Sequence, residues 1–103
     1  MYQVVKRDGG VVQFNIAKIS EAIAKAFEAQ NKQFNPDIVD LLALRVTADY
    51  EKKIVDGKIL VEDIQDSVEA ILIAAGYTDV AKSYILYRKQ REKIRNMKST
   101  VLN

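Results

Sequence analysis

Apolar residues recur at helical spacing in four separate runs of this 103-residue chain, and residues that start or stop a helix stand between the runs. This punctuation constrains the fold more than any other feature, because four amphipathic helices bury their stripes most simply against one another. In the first run Ile16, Ile19, Ile23, Ala26 and Phe27 form one face. Asn15 is placed to cap it, and Phe14 and Ile19 have the spacing of a hydrophobic staple. The helix is expected to fray near Gln30-Asn31. The second run opens on Asn35-Pro36-Asp37, a cap, a first-turn proline and an acid at the positive end of the helix dipole. Its expected buried face is Ile38, Leu41, Leu42, Val46, Tyr50 and Ile54, and Asp56-Gly57 is expected to stop it. The third runs from about Glu62 to Ala75, with Ile64, Val68, Ile71, Leu72 and Ala75 inward and Gly76 as terminator. The fourth starts near Thr78 and turns Val80, Tyr84, Tyr87 and Ile94 inward. Beyond Arg95 the periodicity ends, so residues 1–95 read as one domain and residues 96–103 as a linker or tail.

Three shorter stretches read as strands. Residues 2–6 and 11–14 are β-branched or aromatic and flank Asp8-Gly9-Gly10, whose Asp-Gly pair supplies the positive φ angles of a tight hairpin turn. Residues 58–61, Lys-Ile-Leu-Val, could add a third strand. The expected class is α+β, mainly helical: a four-helix bundle with a β-hairpin or small three-stranded sheet as a lid over one end.

Composition removes whole classes of chemistry. Cysteine and histidine are both absent, so there is no thiol nucleophile, no disulfide framework, and neither the commonest general base nor the commonest metal ligand. A binding or regulatory module is favoured over an enzyme. No window has the roughly 18 consecutive apolar residues of a membrane span, no secretory signal opens the chain, and a reducing, cytoplasmic setting is expected. Net charge is +2, but it is uneven. Between Lys82 and Lys98 seven basic residues face one acid, Glu92, while the rest of the chain is net acidic. Such a helix calls for an anionic partner.

Lys6 and Arg7 lie where the first strand meets its turn, Lys18 in the first turn of helix one, and Arg88 and Lys89 on helix four. Folding the hairpin over the start of helix one would bring Lys6, Arg7 and Lys18 together, where helix amides add a favourable field for an anion. Arginine suits multidentate phosphate recognition and lysine acts as a mobile point charge. Neither a GxxxxGK[ST] loop nor a GxGxxG fingerprint is present, so cationic side chains would have to hold a nucleotide's phosphates. Glu62, Asp63 and Asp66 at the start of helix three can be read as Mg2+ ligands or, more plainly, as acids that complement the helix dipole. Tyr84, Ile85 and Tyr87 interleave with Arg88 and Lys89; rings at this spacing are ordinary core, and could also wall a purine.

The strings VxKRDG, FNxxKI (Phe14 to Ile19), VEDIQDxVExxL (Val61 to Leu72) and AKxYILYRxxR (Ala81 to Arg91) occur in that order. Together they resemble the ATP-cone, the nucleotide-binding regulatory domain at the N-terminus of many ribonucleotide reductases. The tail from Tyr87 onward resembles the junction after the cone in the anaerobic ribonucleoside-triphosphate reductase. The resemblance implies a four-helix bundle under a three-stranded sheet, ATP as activator and dATP as inhibitor, with Mg2+ accompanying the nucleotide. It implies that Val4, Lys6 and Arg7 form the lid motif, that Phe14, Asn15, Lys18 and Ile19 meet base and phosphate, and that Val61, Ile64 and Gln65 lie near base and ribose. Lys89 matches a phosphate lysine, and Tyr84, Tyr87 and Arg88 are candidates for widening the site to two dATP molecules. Val61 stands where some relatives carry threonine, Gln65 where some carry histidine, and Val12 where some carry an acid. The chain itself would be a regulatory domain, the oxidoreductase chemistry belonging to a catalytic domain as partner, with a second copy of the chain left open as another. The related cone of a transcriptional repressor follows a cysteine zinc ribbon, which this chain lacks. The rival reading is a small basic nucleic-acid-binding or transcriptional regulatory module, which the low net charge disfavours.

Overall fold

A computed structural model describes residues 2–102. The chain forms strands β1 (Gln3–Val5) and β2 (Val11–Gln13), helices α1 (Ile16–Ala29) and α2 (Pro36–Tyr50), strand β3 (Lys58–Leu60), and helices α3 (Val61–Ala74) and α4 (Thr78–Leu102). It is the α+β architecture expected, four helices and a three-stranded mixed sheet of order β2-β1-β3. β1 pairs antiparallel with β2 and parallel with β3, in register Val4↔Val12 and Val4↔Ile59.

The local signals act where the sequence places them. Asn15 Oδ1 accepts the Ala17 N–H at 3.0 Å, and Asn35 Oδ1 accepts the Asp37 N–H at 2.8 Å, each satisfying a helix-start amide that the backbone leaves unpaired. α1 ends on Asn31 in the left-handed region (φ 54), a conformation that asparagine tolerates. α3 ends on Gly76 (φ 89), with the Tyr77 N–H on the Leu72 carbonyl at 2.9 Å and the Gly76 N–H on the Ile73 carbonyl at 3.0 Å. This is the double closure that a left-handed glycine permits.

The two Asp-Gly pairs divide the work differently from expectation. In the hairpin only Gly9 has positive φ (90); the Lys6 N–H donates to the Gly10 carbonyl at 2.7 Å and the Gly9 N–H to the Lys6 carbonyl at 3.0 Å. Asp8 Oδ1 braces the turn by accepting the Gly10 N–H at 2.8 Å. This is a three-residue loop closed by one left-handed glycine. The consecutive positive φ values occur instead at Asp56 (53) and Gly57 (72), in a two-residue turn closed by reciprocal bonds between Val55 and Lys58. Asp56-Gly57 therefore does not stop α2, which ends at Tyr50 and passes through a 3-10 turn over Glu51–Lys53. It aims the chain into β3.

The core runs the length of the bundle, with Ile23, Val46, Tyr50, Leu72 and Val80 fully enclosed. Each end is closed by aromatic rings. At the sheet end Tyr2 stacks on Phe14 with centroids 4.6 Å apart and both meet Tyr50 edge-on. At the far end Phe27 meets Phe34 and Tyr77. Two stripes hold in part: Leu42, Val46 and Tyr50 of α2 and Val80 and Tyr84 of α4 are buried as expected, and the rest differ. α2 buries Val39, Leu42, Ala43, Val46 and Tyr50, while Ile38 and Leu41 face solvent. α4 buries Val80, Ala81 and Tyr84, whereas Tyr87 and Ile94 are exposed, because the bundle supplies no partner for that side of the helix. Helix α4 continues to Leu102, through the stretch in which the sequence shows no periodicity.

Neighbouring leucines test the phase of α2. Leu42 is 3% exposed and Leu41 57%. Leu42→Ala should cost about 2–5 kcal/mol in urea unfolding through the cavity it leaves, and Leu41→Ala no more than about 0.5 kcal/mol.

Candidate functional site

Parallel pairing of β1 with β3 aligns Val5 with Leu60, so the residues that follow each strand leave the sheet side by side. Lys6-Arg7 enters the hairpin turn there, and Val61-Glu62 enters the first turn of α3. Helix α4 returns antiparallel along α3 and brings Glu92 to the same place.

Arg7 is the meeting point. Its Nε lies 3.4 Å from Glu62 Oε1, its Nη1 3.5 Å from Glu92 Oε1, and its Nη2 donates to Gln65 Oε1 at 3.3 Å. Each guanidinium nitrogen thus faces a different side chain, two on α3 and one on α4. The Arg7 side chain is 22% exposed, so the group is reachable from solvent. Arg88, one turn before Glu92, is held by the body of α3: its Nη1 lies 2.8 Å from Asp66 Oδ1 and also bonds Glu69. Burial alone would lower the Arg88 pKa, but the two carboxylates outweigh it and raise it. Arg88 is therefore a fixed cation in a carboxylate clamp.

The other expected site residues fall into two groups by burial. Val4, Ile19 and Ile64 are buried in the common core, with Phe14 and Val61 half-buried against it. They form an apolar floor where hairpin, α1 and α3 meet. Asn15 spends its side-chain oxygen on the α1 cap and keeps its amide donors. Lys6, Lys18 and Lys89 are exposed, and among the described residues none forms an ion pair. Tyr84 is buried, and burial raises its phenol pKa despite the opposing field of Arg88. Tyr87 faces outward with the Arg91 guanidinium 5.9 Å from its ring centre.

Glu62, weighed above as a magnesium ligand, is instead a partner of Arg7, and Asp66 a partner of Arg88. Among the described residues no group of three or more acids is arranged to hold a metal ion. The sequence reading did not foresee Glu69 and Glu92. A signal was available: Glu62, Asp66 and Glu69 fall on one face of α3 at helical spacing, and Arg88 and Glu92 are one turn apart on α4.

Burial raises the pKa of both Tyr50 and Tyr84 above the ordinary phenol value of 10.0. A phenol whose folded pKa is raised contributes stability that is complete below its unfolded pKa and is lost as pH climbs towards the folded value. The urea midpoint should therefore hold through neutral pH and fall above about pH 10. In Tyr84→Phe that alkaline fall should be shallower.

The chain matches the family described as "ATP cone domain" over residues 2–93. It is 43% identical over 98 residues to the ribonucleoside-diphosphate reductase subunit alpha of Chlamydia pneumoniae, covering 89% of this chain and 9% of that protein. It is 44% identical over 101 residues to the vitamin B12-dependent ribonucleoside-diphosphate reductase of Thermoplasma acidophilum, covering 93% and 13%. To the anaerobic ribonucleoside-triphosphate reductase of Haemophilus influenzae it is 32% identical over 105 residues, covering 95% and 14%. The chain thus spans a small fraction of each relative's length, and the specific likeness to the anaerobic enzyme is the weaker of the three. With four helices, the three-stranded cap and the matched residues in agreement, the chain belongs to the ATP-cone family and is related to the ribonucleotide reductases.

Proposed function

We propose that this domain senses ATP and dATP and sets the overall activity of a ribonucleotide reductase, with ATP activating and dATP inhibiting. The observation that carries the proposal is Arg7, held at the junction of hairpin, α3 and α4 beside Gln65, within a chain that matches the ATP cone over residues 2–93. Adenine takes the apolar floor of Val4, Phe14, Ile19, Val61 and Ile64, and Asn15 and Gln65 offer polar contacts to base and ribose. The polyphosphate draws on Arg7 and the exposed Lys6, Lys18 and Lys89, with Arg88 beside Lys89 on α4 but already shared between Asp66 and Glu69. Mg2+ arrives on the phosphates, since the nearby carboxylates Glu62 and Asp66 already hold arginines.

Val4 and Ile64 are each 8% exposed and Ile19 6%, so a base reaches them when the lid yields. β1 is the central strand, bonded on both sides; the parts free to lift are β2 and the turn from Lys6 to Gly10. ATP and dATP differ only by the 2′-hydroxyl, and one polar contact near Gln65 decides which surface the domain presents. Couplings of this kind are typically about 1–3 kcal/mol. The higher identities favour a diphosphate reductase as the parent over the anaerobic enzyme. The catalytic domain is the partner that reads the signal.

Millimolar ATP or dATP with Mg2+ should raise the melting temperature of the chain. Binding confined to the folded state adds about 2.7 kcal/mol at a hundred times Kd, and a flat thermal-shift titration would refute the proposal. Lys6→Ala and Lys89→Ala should weaken calorimetric binding of ATP more than that of adenosine. Equal losses for both ligands would remove the phosphate role from these lysines.

A further inference from the structure

The guanidinium assigned above to phosphate recognition already has its three nitrogens facing acceptors, two on α3 and one on α4. Arg7 Nη2 bonds Gln65, Nε faces Glu62, and Nη1 faces Glu92. We infer that Glu92 is a positioning residue of the nucleotide site: it competes with the polyphosphate for Arg7, so nucleotide binding is read out as release of the hairpin tip from α4. The inference rests on the nucleotide-binding reading and adds to it an acid one turn beyond Arg88 on α4.

The physical argument is one of exchange. Arginine offers five N–H donors in a fixed plane, and a polyphosphate presents several charged acceptors that can engage the same edge bidentately. Glu92 offers one carboxylate, 3.5 Å from Nη1 and 48% exposed, a contact weakened by solvent. The polyphosphate is the stronger competitor. Glu62 and Gln65 sit three residues apart on the first turns of α3, which follows β3 directly, so they lie at the sheet edge from which the hairpin turn leaves. Glu92 belongs to α4, which is tied to α1 and the segment after it through Gln30–Ser83 and Lys32–Asp79 and to α3 through Arg88. Of the three contacts, the Glu92 pair is the one whose loss changes how the lid and α4 are joined. Helix α4 spans 25 residues where the other three span 14 or 15, and through Glu92 it is joined to Arg7 of the hairpin. By linkage, anything that draws Glu92 away from Arg7 must favour nucleotide, and nucleotide must favour that displacement equally.

The test is calorimetric binding of ATP and adenosine to the wild-type chain, Glu92→Gln, Arg7→Gln and the double variant, with circular dichroism to confirm folding. Glu92→Gln should bind ATP about two- to fivefold more tightly, the span set by a half-exposed ion pair, with adenosine affinity unchanged. In the Arg7→Gln background the same substitution should have no effect. Glu92→Ala, which removes the same carboxylate, carries the same expectation and serves should Glu92→Gln fail to fold. Unchanged or weaker ATP binding by the folded variants overturns the inference. So does equal tightening with and without Arg7, which would be the general field of one charge removed. A wild-type chain that binds no ATP overturns the nucleotide reading and this inference together, whereas normal ATP binding with no effect at Glu92 overturns this inference alone.

Discussion

The parallel pairing of β1 with β3 is the constraint on which the rest of the molecule depends. Parallel neighbours cannot be joined by a tight turn and need a long crossover; here β2, α1 and α2 all lie between them. That detour is long enough to build half the bundle before the chain returns to the sheet. The same pairing decides chemistry. Because Val5 lies opposite Leu60, both strands run out at one edge, and the turn after β1 meets the first turn of α3 there. Arg7 reaches Glu62 and Gln65 for this reason, across more than fifty positions of sequence. Val4 and Ile59, paired at the centre of the sheet and buried, hold the register, since a slip of one residue would turn both away from the core.

Around this frame the charged groups are arranged in opposition. The basic residues concentrated on α4 and the hairpin do not all stand free in solvent. Arg7 and Arg88 are met by acids of α3, and by Glu92 of α4 itself, while Lys6, Lys18 and Lys89 remain exposed. Arginine and lysine thereby take separate parts. The planar guanidinium can join several elements at once, whereas the ammonium groups stay mobile and hydrated. A site built this way tunes its affinity for an anion through the carboxylates that oppose it as well as through its cations.

Much of the fold was legible because its signals are local. Asn15 and Asn35 before their helices, Pro36 inside one and Gly76 after another act within a few residues of backbone and do not depend on the partner. The stripe of α1 was also legible, since only alanine or polar residues separate Ile16, Ile19, Ile23 and Phe27. The stripe of α2 was legible only in part, at Leu42, Val46 and Tyr50. From Ile38 to Val46 that helix is apolar on nearly every side, so periodicity alone does not say which side faces inward, and packing against α1 and α3 chose Val39, Leu42 and Ala43. Asp8-Gly9 and Asp56-Gly57 are the same dipeptide in two different turns, because loop length and the strands being joined select the turn type.

The sequence by itself determined the class of the fold, the order of its elements, and the absence of histidine and cysteine chemistry, all of which follow from residue type and short-range spacing. Tertiary structure alone decided the outward faces of α2 and α4, the parallel register of β3, and the bringing of Arg7 to Gln65, Glu62 and Glu92. Those depend on contacts between segments distant in the chain, where the relevant energy is that of packing and of charges at a few ångströms, and no local pattern encodes it.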